Sequence, residues 1–241
     1  MQGLDLTVVI PTFKEKNNLK LLIPSTEDLL RKVNCNFQIL IVDDNSNDGT
    51  SELINQFDKQ YHNLRLLVRK DKKGIASAWQ DGFSLACSRF IACMDGDLSH
   101  DPKYLVSMFE EIKIKNCDMV IGSRYLDAFC KDFQGKPFLS RFTSAFGQYI
   151  GRFLLGLKQR DISHSFRIFK KEVFEKIKDK LLCEGNSYLV EFLYLAVKNN
   201  FSICEIPIVY RKRIHGRTKL RVFNEGIRYI RSLFLMRNRH K

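Results

Sequence analysis

Four short apolar runs in the first half of the chain each stop at a cluster of polar or charged residues. Residues 6–10 end at Pro11-Thr12, 37–42 at Asp43-Asp44-Asn45-Ser46, 90–94 at Asp95-Gly96-Asp97, and 118–121 at Gly122-Ser123-Arg124-Tyr125. A further β-rich run covers 64–68, and helical patterns fill the gaps, running to about 32 and over 49–61, 74–87 and 102–115. Strands alternating with helices of this length predict an α/β fold with βαβ units and a mostly parallel sheet. Handed crossovers then gather the strand ends on one edge, where ligands of such sheets bind. Asn47 or Asp48 is the expected cap of the 49–61 helix.

The run ending at Asp95 carries the sharpest chemical signal. In extended backbone, residues i and i+2 point the same way, so Asp95 and Asp97 are expected to converge. Two converging carboxylates repel unless a cation lies between them, and one or two carboxylates plus substrate phosphates suit Mg²⁺. The competing reading is an Asp-Gly-Asp surface turn in which Asp97 or Ser99 caps the next helix.

After Tyr125 the pattern changes. Residues 126–135 read as a loop, and 138–157 as a helix with Phe138, Phe142, Ala145, Phe146, Tyr149, Ile150, Phe153, Leu154 and Leu157 on one broad face. A polar loop enters a strand over 161–169, followed by helices over 171–177 and 188–198 and a strand over 203–210. A basic loop, 211–221, precedes a final helix over about 222–236. That helix places Phe223, Ile227, Ile230 and Phe234 opposite Arg221, Arg228 and Arg231,. No repeat or linker divides the chain, so 1–241 reads as one domain. The change near residue 125 separates a first half that carries the acidic strand ends from a second half, about 126–241, that ends in a basic amphipathic tail.

Composition narrows the class. At 44% hydrophobic and 28% charged, the 241 residues describe a globular protein,. Seven scattered cysteines without a CxxC spacing argue against disulfides and zinc and for a reducing compartment,. The start has no basic n-region or apolar h-region, and no run of about 18 apolar residues occurs, so neither a signal peptide nor a span is expected,. The formal net charge of +13, concentrated after residue 205, implies an anionic partner,.

With these motifs in view, the chain resembles the family-2 glycosyltransferases of the GT-A fold, and more narrowly the polyprenyl (dolichyl) phosphate mannose synthases. Residues 9–15, from Val9 to Glu15, match that family's Pro-Thr-Tyr-Asn-Glu opening, and 42–50 its Asp-Asp-Gly-Ser-x-Asp-Gly-Thr. Residues 94–100 match its DXD segment. Gly122-Ser123-Arg124-Tyr125, Ser165-Phe166-Arg167 and 213–220 match later motifs. The resemblance implies a Rossmann-like sheet with amphipathic C-terminal helices. It implies that Pro11, Thr12, Phe13, Glu15, Val42 and Asp44 hold the base and ribose of a nucleotide diphosphate sugar, with Gly96 and Glu191 also on the donor. It further implies that Asp95 and Asp97 hold Mg²⁺ or Mn²⁺ on the diphosphate, with Ser99 where relatives often carry Gln. Phe13, Lys14 and Asn45 depart from the family's Tyr, Asn and Gly near the nucleotide, and His164 replaces Gly before Ser165-Phe166-Arg167.

Cleavage of a nucleotide diphosphate sugar needs its leaving group stabilised, by a metal ion and by cationic side chains. Arg124, Arg213 and Lys219 are the candidates, with Asp97 as the catalytic carboxylate. A sugar hydroxyl acceptor needs a base; a lipid phosphate, with a second pKa of about 6, is already largely a dianion and needs a basic socket instead. Arg124, Arg141 and Ser165 are the socket candidates, and Glu191, Asp161 or Ser165 can meet the sugar hydroxyls. The expected reaction is an inverting transfer of a hexose, mannose or glucose, to a polyprenyl phosphate. The enzyme would work on the cytoplasmic face of a membrane as a peripheral protein, held by basic residues and apolar helix faces or by a small membrane-anchoring subunit. A polysaccharide or protein acceptor is the alternative and would need Glu191 as base. A nucleic-acid binder is more distant: the chain has no helix-turn-helix, RNP or zinc-finger pattern, and no nucleic-acid partner is expected.

Overall fold

The computed structural model describes residues 3–33, 35–71, 74–126, 138–210 and 222–240, with backbone alone for 138–143, 222–225 and 227. Its first half alternates strands β1 (Leu6–Thr12), β2 (Phe37–Asp43), β3 (Leu64–Val68), β4 (Phe90–Cys93) and β5 (Met119–Ser123) with helices α1 (Lys16–Leu30), α2 (Thr50–Tyr61), α3 (Ile75–Leu85) and α4 (Lys103–Ile114). The second half adds α5 (Phe138–Leu155), β6 (Arg167–Lys170), α6 (Lys171–Ile177), α7 (Ser187–Lys198), β7 (Ile203–Pro207) and α8 (Val222–Arg239).

The strands form one seven-stranded sheet in the order β3-β2-β1-β4-β6-β5-β7. Both faces are covered, and the strands therefore read as continuous apolar runs rather than alternating ones. Val9, Leu40, Ile91 and Met119 face a core built with α3, α6, α7 and α8. Their neighbours Val8, Ile39, Ala92 and Val120 face a second core built with α1, α2 and α4.

Two features of this sheet create the site. The order reverses between β1 and β4, which places a crevice at their carboxyl ends. Pro11 is tolerated inside central β1 for a related reason. Val9 accepts Met94 N–H just past the end of β4, and Pro11 faces the same side two residues on, so its missing N–H falls where β4 has stopped. The second feature is β6, which runs antiparallel between β4 and β5, pairing Cys93 and Ile121 with Arg167. Its amino end lies at the carboxyl ends of its neighbours, so the 161–166 loop arrives beside Asp95.

The sheet tolerates α3 at close range only because position 82 is glycine: a Cβ there would lie 2.3 Å from Val9 Cγ1 and 3.1 Å from Val42 Cγ2. Gly82→Ala is expected to destabilise the protein by about 1–3 kcal/mol through overpacking in urea unfolding. Gly226→Ala on α8, where nothing lies within 4 Å, is expected instead to be neutral or to add about 0.5–1 kcal/mol.

Candidate active site

The loops after β1 and β2 are tied together by one carboxylate. Asp43 Oδ1 accepts from Thr12 Oγ1 (2.9 Å) and Ser46 Oγ (2.5 Å), and Oδ2 accepts from Ser46 N–H (2.8 Å). Ser46 Oγ in turn accepts Lys14 N–H at 2.8 Å. Lys14, Asn45 and Asn47 all take positive φ (62°, 53° and 51°) to make these turns. The N-cap position of α2 is Gly49 rather than Asn47 or Asp48; Asp48, just before it, accepts Thr50 N–H through Oδ1 and Lys16 N–H through Oδ2. Burial alone would raise its pKa, but hydrogen bonds from Thr50 and Lys16 outweigh it and hold the carboxyl below its ordinary range. Asp44, the expected nucleotide residue, is buried in an ion pair with Arg69 from the end of β3. Arg69 also reaches Ser77 Oγ at 2.7 Å and Asp81 at 3.2 Å.

Asp95 and Asp97 do not have the extended-strand placement expected of them. Neither lies in extended strand: β4 ends at Cys93, and the pair sits on the following turn. Gly96 seats this turn against the end of β1, where a Cβ would lie 3.1 Å from Thr12 Cγ2 and 3.5 Å from the Pro11 carbonyl. Leu98, at φ 65°, then folds the chain back on itself. Asp97 is 4% exposed, and its Oδ1 accepts both Ser99 N–H (3.0 Å) and Ser99 Oγ (2.5 Å). Ser99 therefore fixes Asp97 and does not cap α4, whose first turn is bonded by Asp101.

Asp95 is the more accessible carboxylate, with its side chain 23% exposed. Its Oδ2 accepts Ser165 Oγ at 3.0 Å, and its N–H donates to His100 Nδ1 at 3.0 Å. His100 is fully buried, stacked on Phe166 (4.5 Å, 5°) and in edge contact with Tyr210 (5.7 Å). His164 packs 4.9 Å from His100 and 5.6 Å from Tyr210. Burial lowers the pKa of both imidazoles, against the pull of Asp95 and Asp97 on His100, and with the added push of Arg124, His100 and Arg167 on His164.

Arg124 stands on the other side of Tyr210, with its guanidinium carbon 5.6 Å from that ring. Asp161 grips it in a fork, Nε to Oδ2 at 2.7 Å and Nη2 to Oδ1 at 2.9 Å. Although burial opposes the charge, Asp161 raises the Arg124 pKa above its ordinary value. Gln148 of α5 holds the same loop, donating to Asp161 Oδ1 (3.1 Å) and Ser163 Oγ (2.7 Å) and accepting Ile162 N–H (3.0 Å).

The strand edge thus brings together Pro11, Thr12, Asp95, Gly96, Asp97, Ser165 and Arg124. Phe13 and Glu15 lie just past β1, Val42 is fully buried in β2, and Asp44 lies just past it. Glu191 is placed in a packing role instead: Oε2 accepts the N–H groups of Leu182 and Cys183, both at 2.7 Å, and Oε1 lies 3.0 Å from His240 Nε2. Arg167, from the Ser165-Phe166-Arg167 motif, is fully buried and donates to the carbonyls of His164 and Leu189. Arg141 lies on α5 without a described side chain, and Arg213 and Lys219 fall outside the described residues.

Sequence reasoning missed Arg69, His100 and Gln148. Arg69 carried a usable signal, a basic residue immediately after a strand. His100 and Gln148 are recognisable only once the turn and α5 are folded. Among the described residues no group of three His, Cys, Asp or Glu side chains gathers as a self-sufficient metal site. Asp95 and Asp97 nevertheless offer the oxygen ligands that suit a hard divalent ion completed by substrate phosphates, and the buried, unpartnered His100 Nε2 lies 3.6 Å from Asp95 Oδ2.

The mostly parallel seven-stranded sheet flanked by helices is the fold of GT-A glycosyltransferases. The chain belongs to glycosyl transferase family 2, whose profile matches residues 7–178. Similar proteins include a polyprenol monophosphomannose synthase of Mycolicibacterium smegmatis, 30% identical over 88% of this chain and 80% of that protein. A dolichol-phosphate mannosyltransferase of Pyrococcus furiosus is 32% identical over 90% of this chain, which spans only 59% of that protein. Among solved structures, glucosyl-3-phosphoglycerate synthase of Mycobacterium tuberculosis shares the fold. Its complex with UDP has a TM-score of 0.71 at 13% identity, covering 98% of this chain and 81% of that one. Its complex with Mn²⁺, UDP and phosphoglyceric acid has a TM-score of 0.72 at 13% identity, covering 98% and 79%.

Because His164 is held neutral, the unfolded chain binds more protons than the folded one below the ordinary histidine pKa of about 6.5. Stability is therefore present above that pH and lost as pH falls below it. Thermal unfolding in EDTA should show Tm dropping between about pH 7 and 5, with a shallower slope in His164→Leu.

Proposed function

We propose that this glycosyltransferase moves a hexose, mannose or glucose, from a nucleotide diphosphate sugar to a polyprenyl phosphate, in a divalent-cation-dependent reaction that inverts the anomeric carbon. The carrying observation is the Asp95-Gly96-Asp97 turn at the β1/β4 crevice, with Ser165 of the second half bonded to Asp95. The names of the relatives favour the lipid phosphate acceptor, and GDP-mannose as the donor to test first.

Asp95 and Asp97 would hold Mg²⁺ or Mn²⁺, which when bound neutralises charge on the departing diphosphate. The other roles belong to the chain. The ends of β1 and β2, with Pro11, Thr12, Phe13, Glu15, Val42 and Asp44, take base and ribose, and Arg69 orients Asp44. Arg124, fixed by Asp161, and Ser165 orient the acceptor phosphate, which is a nucleophile without a protein base. Arg141, Arg213 and Lys219 complete the basic surroundings in this reading. A hydroxyl acceptor would require a carboxylate base, and the Glu191 carboxylate is occupied by two backbone N–H groups, so no observation favours that alternative. Family membership also accounts for the carboxylates that a nucleic-acid role leaves unexplained.

The acceptor would be met at a membrane surface. No helix among the described residues is long and apolar enough to cross a membrane. Yet α5 exposes Phe146, Tyr149 and Phe153 at 53%, 65% and 76%, and its neighbour α8 exposes Ile230, Phe234 and Leu235. The core-facing side of α8 is Tyr229, Leu233 and Met236, so Ile230 and Phe234 form a second apolar face turned outward. With Arg228 and Arg231 also exposed, this is the composition of an interfacial surface. An anchoring subunit would use the same face.

Protein supplied with GDP-mannose, Mg²⁺ or Mn²⁺ and a polyprenyl phosphate is expected to move sugar into an organic-extractable product. Asp95→Asn and Asp97→Asn should each reduce the rate by about 100-fold or more. Sugar transferred only to soluble glycans would contradict the acceptor. Replacing Phe146, Tyr149 and Phe153 together by Ser should weaken binding to anionic vesicles by about tenfold or more, read by sedimentation.

A further inference from the structure

We infer that His100 positions the Asp95 carboxylate for the divalent cation, acting through both ring nitrogens; the inference rests on the cation-dependent reading above. The hydrogen bonds settle the tautomer. Asp95 N–H donates to Nδ1 at 3.0 Å, so Nδ1 is an acceptor and a neutral ring must carry its proton on Nε2. That Nε2–H is buried and without a hydrogen-bond partner among the described residues. It lies 3.6 Å from Asp95 Oδ2, just outside hydrogen-bond range, and an orphaned buried donor is costly enough to need a reason.

The ring itself is held. It is 1% exposed, lies flat on Phe166 and is bounded by His164 and Tyr210. The Asp95 side chain is the less constrained partner, being partly accessible and tethered at Oδ2 by a single serine hydroxyl among the described residues. A modest turn of the carboxylate brings one oxygen onto Nε2–H and leaves the other for a cation. His100 thus fixes the backbone of residue 95 with one nitrogen and offers its side chain a directed donor with the other. Partners that orient a ligating carboxylate in this way are commonly worth about 10–100-fold in metal affinity. The turn that makes this possible is local, since positive φ at Leu98 brings residue 100 back beneath residue 95.

A packing role and a positioning role are separable because two amides each copy one nitrogen. His100→Asn places an amide oxygen near Nδ1, keeping the acceptor for Asp95 N–H but lacking the Nε2 donor. His100→Gln reaches the Nε2 position with an amide N–H but loses the Nδ1 acceptor. Mn²⁺ affinity of the full chain is measured by electron paramagnetic resonance in saturating GDP, and repeated in UDP, with Tm in EDTA recorded for each protein. The expected result is Mn²⁺ binding weakened by about tenfold or more in His100→Asn and by clearly less in His100→Gln, at similar Tm. Equal affinities in the two variants, or losses that follow Tm, overturn the inference and leave the proposed function standing. Absence of Mn²⁺ binding by the wild-type protein with either nucleotide overturns both.

Discussion

The seating of Gly96 against the end of β1 is the contact on which the rest of the site depends. Without a side chain, residue 96 lets the turn after β4 lie on Pro11 and Thr12, so the elements expected to bind nucleotide and those expected to bind metal share one edge. The Asp43 hub then locks the β1 and β2 loops together, and Ser99 locks Asp97. Much of the polar chemistry around the crevice thus holds loops in place, leaving Asp95 as the partly exposed group that can respond to a ligand.

The second half of the chain reaches this edge because β6 runs against its neighbours. One antiparallel strand delivers Asp161, His164 and Ser165 to the crevice. Asp161 links Arg124 on the crevice side to Gln148 on α5, the helix whose opposite side exposes Phe146, Tyr149 and Phe153. A buried charged fork of this kind is costly to break from one side, about 3–5 kcal/mol. Arg124 and the exposed helix surface are therefore mechanically connected through three side chains.

Elements with strong local signals were readable in the sequence: β3 and α6 fall within their expected bounds, and the acidic strand ends share one edge. Features set by long-range pairing were not. The antiparallel sense of β6 depends on partners far away in sequence, and periodicity on α8 found an apolar stripe without revealing that a different stripe, Tyr229, Leu233 and Met236, faces the core. In the site, Asp95 and Asp97 stood out by residue type, but the extended-strand geometry expected of them is absent, because β4 ends at Cys93 and a turn with Gly96 and a left-handed Leu98 carries the pair. Glu191 was expected among the polar partners of the sugar hydroxyls; folded, it bonds the backbone of the 182–183 segment.

The central claim is that nucleotide diphosphate and divalent cation occupy one crevice and hold each other there. Coupling between two ligands must be reciprocal, so calorimetric titration of GDP into the wild-type protein with and without Mn²⁺, and of Mn²⁺ with and without GDP, tests it directly. The account predicts that each ligand strengthens the other by the same factor, about tenfold or more. Nucleotide binding that is indifferent to the cation in both titrations would contradict it.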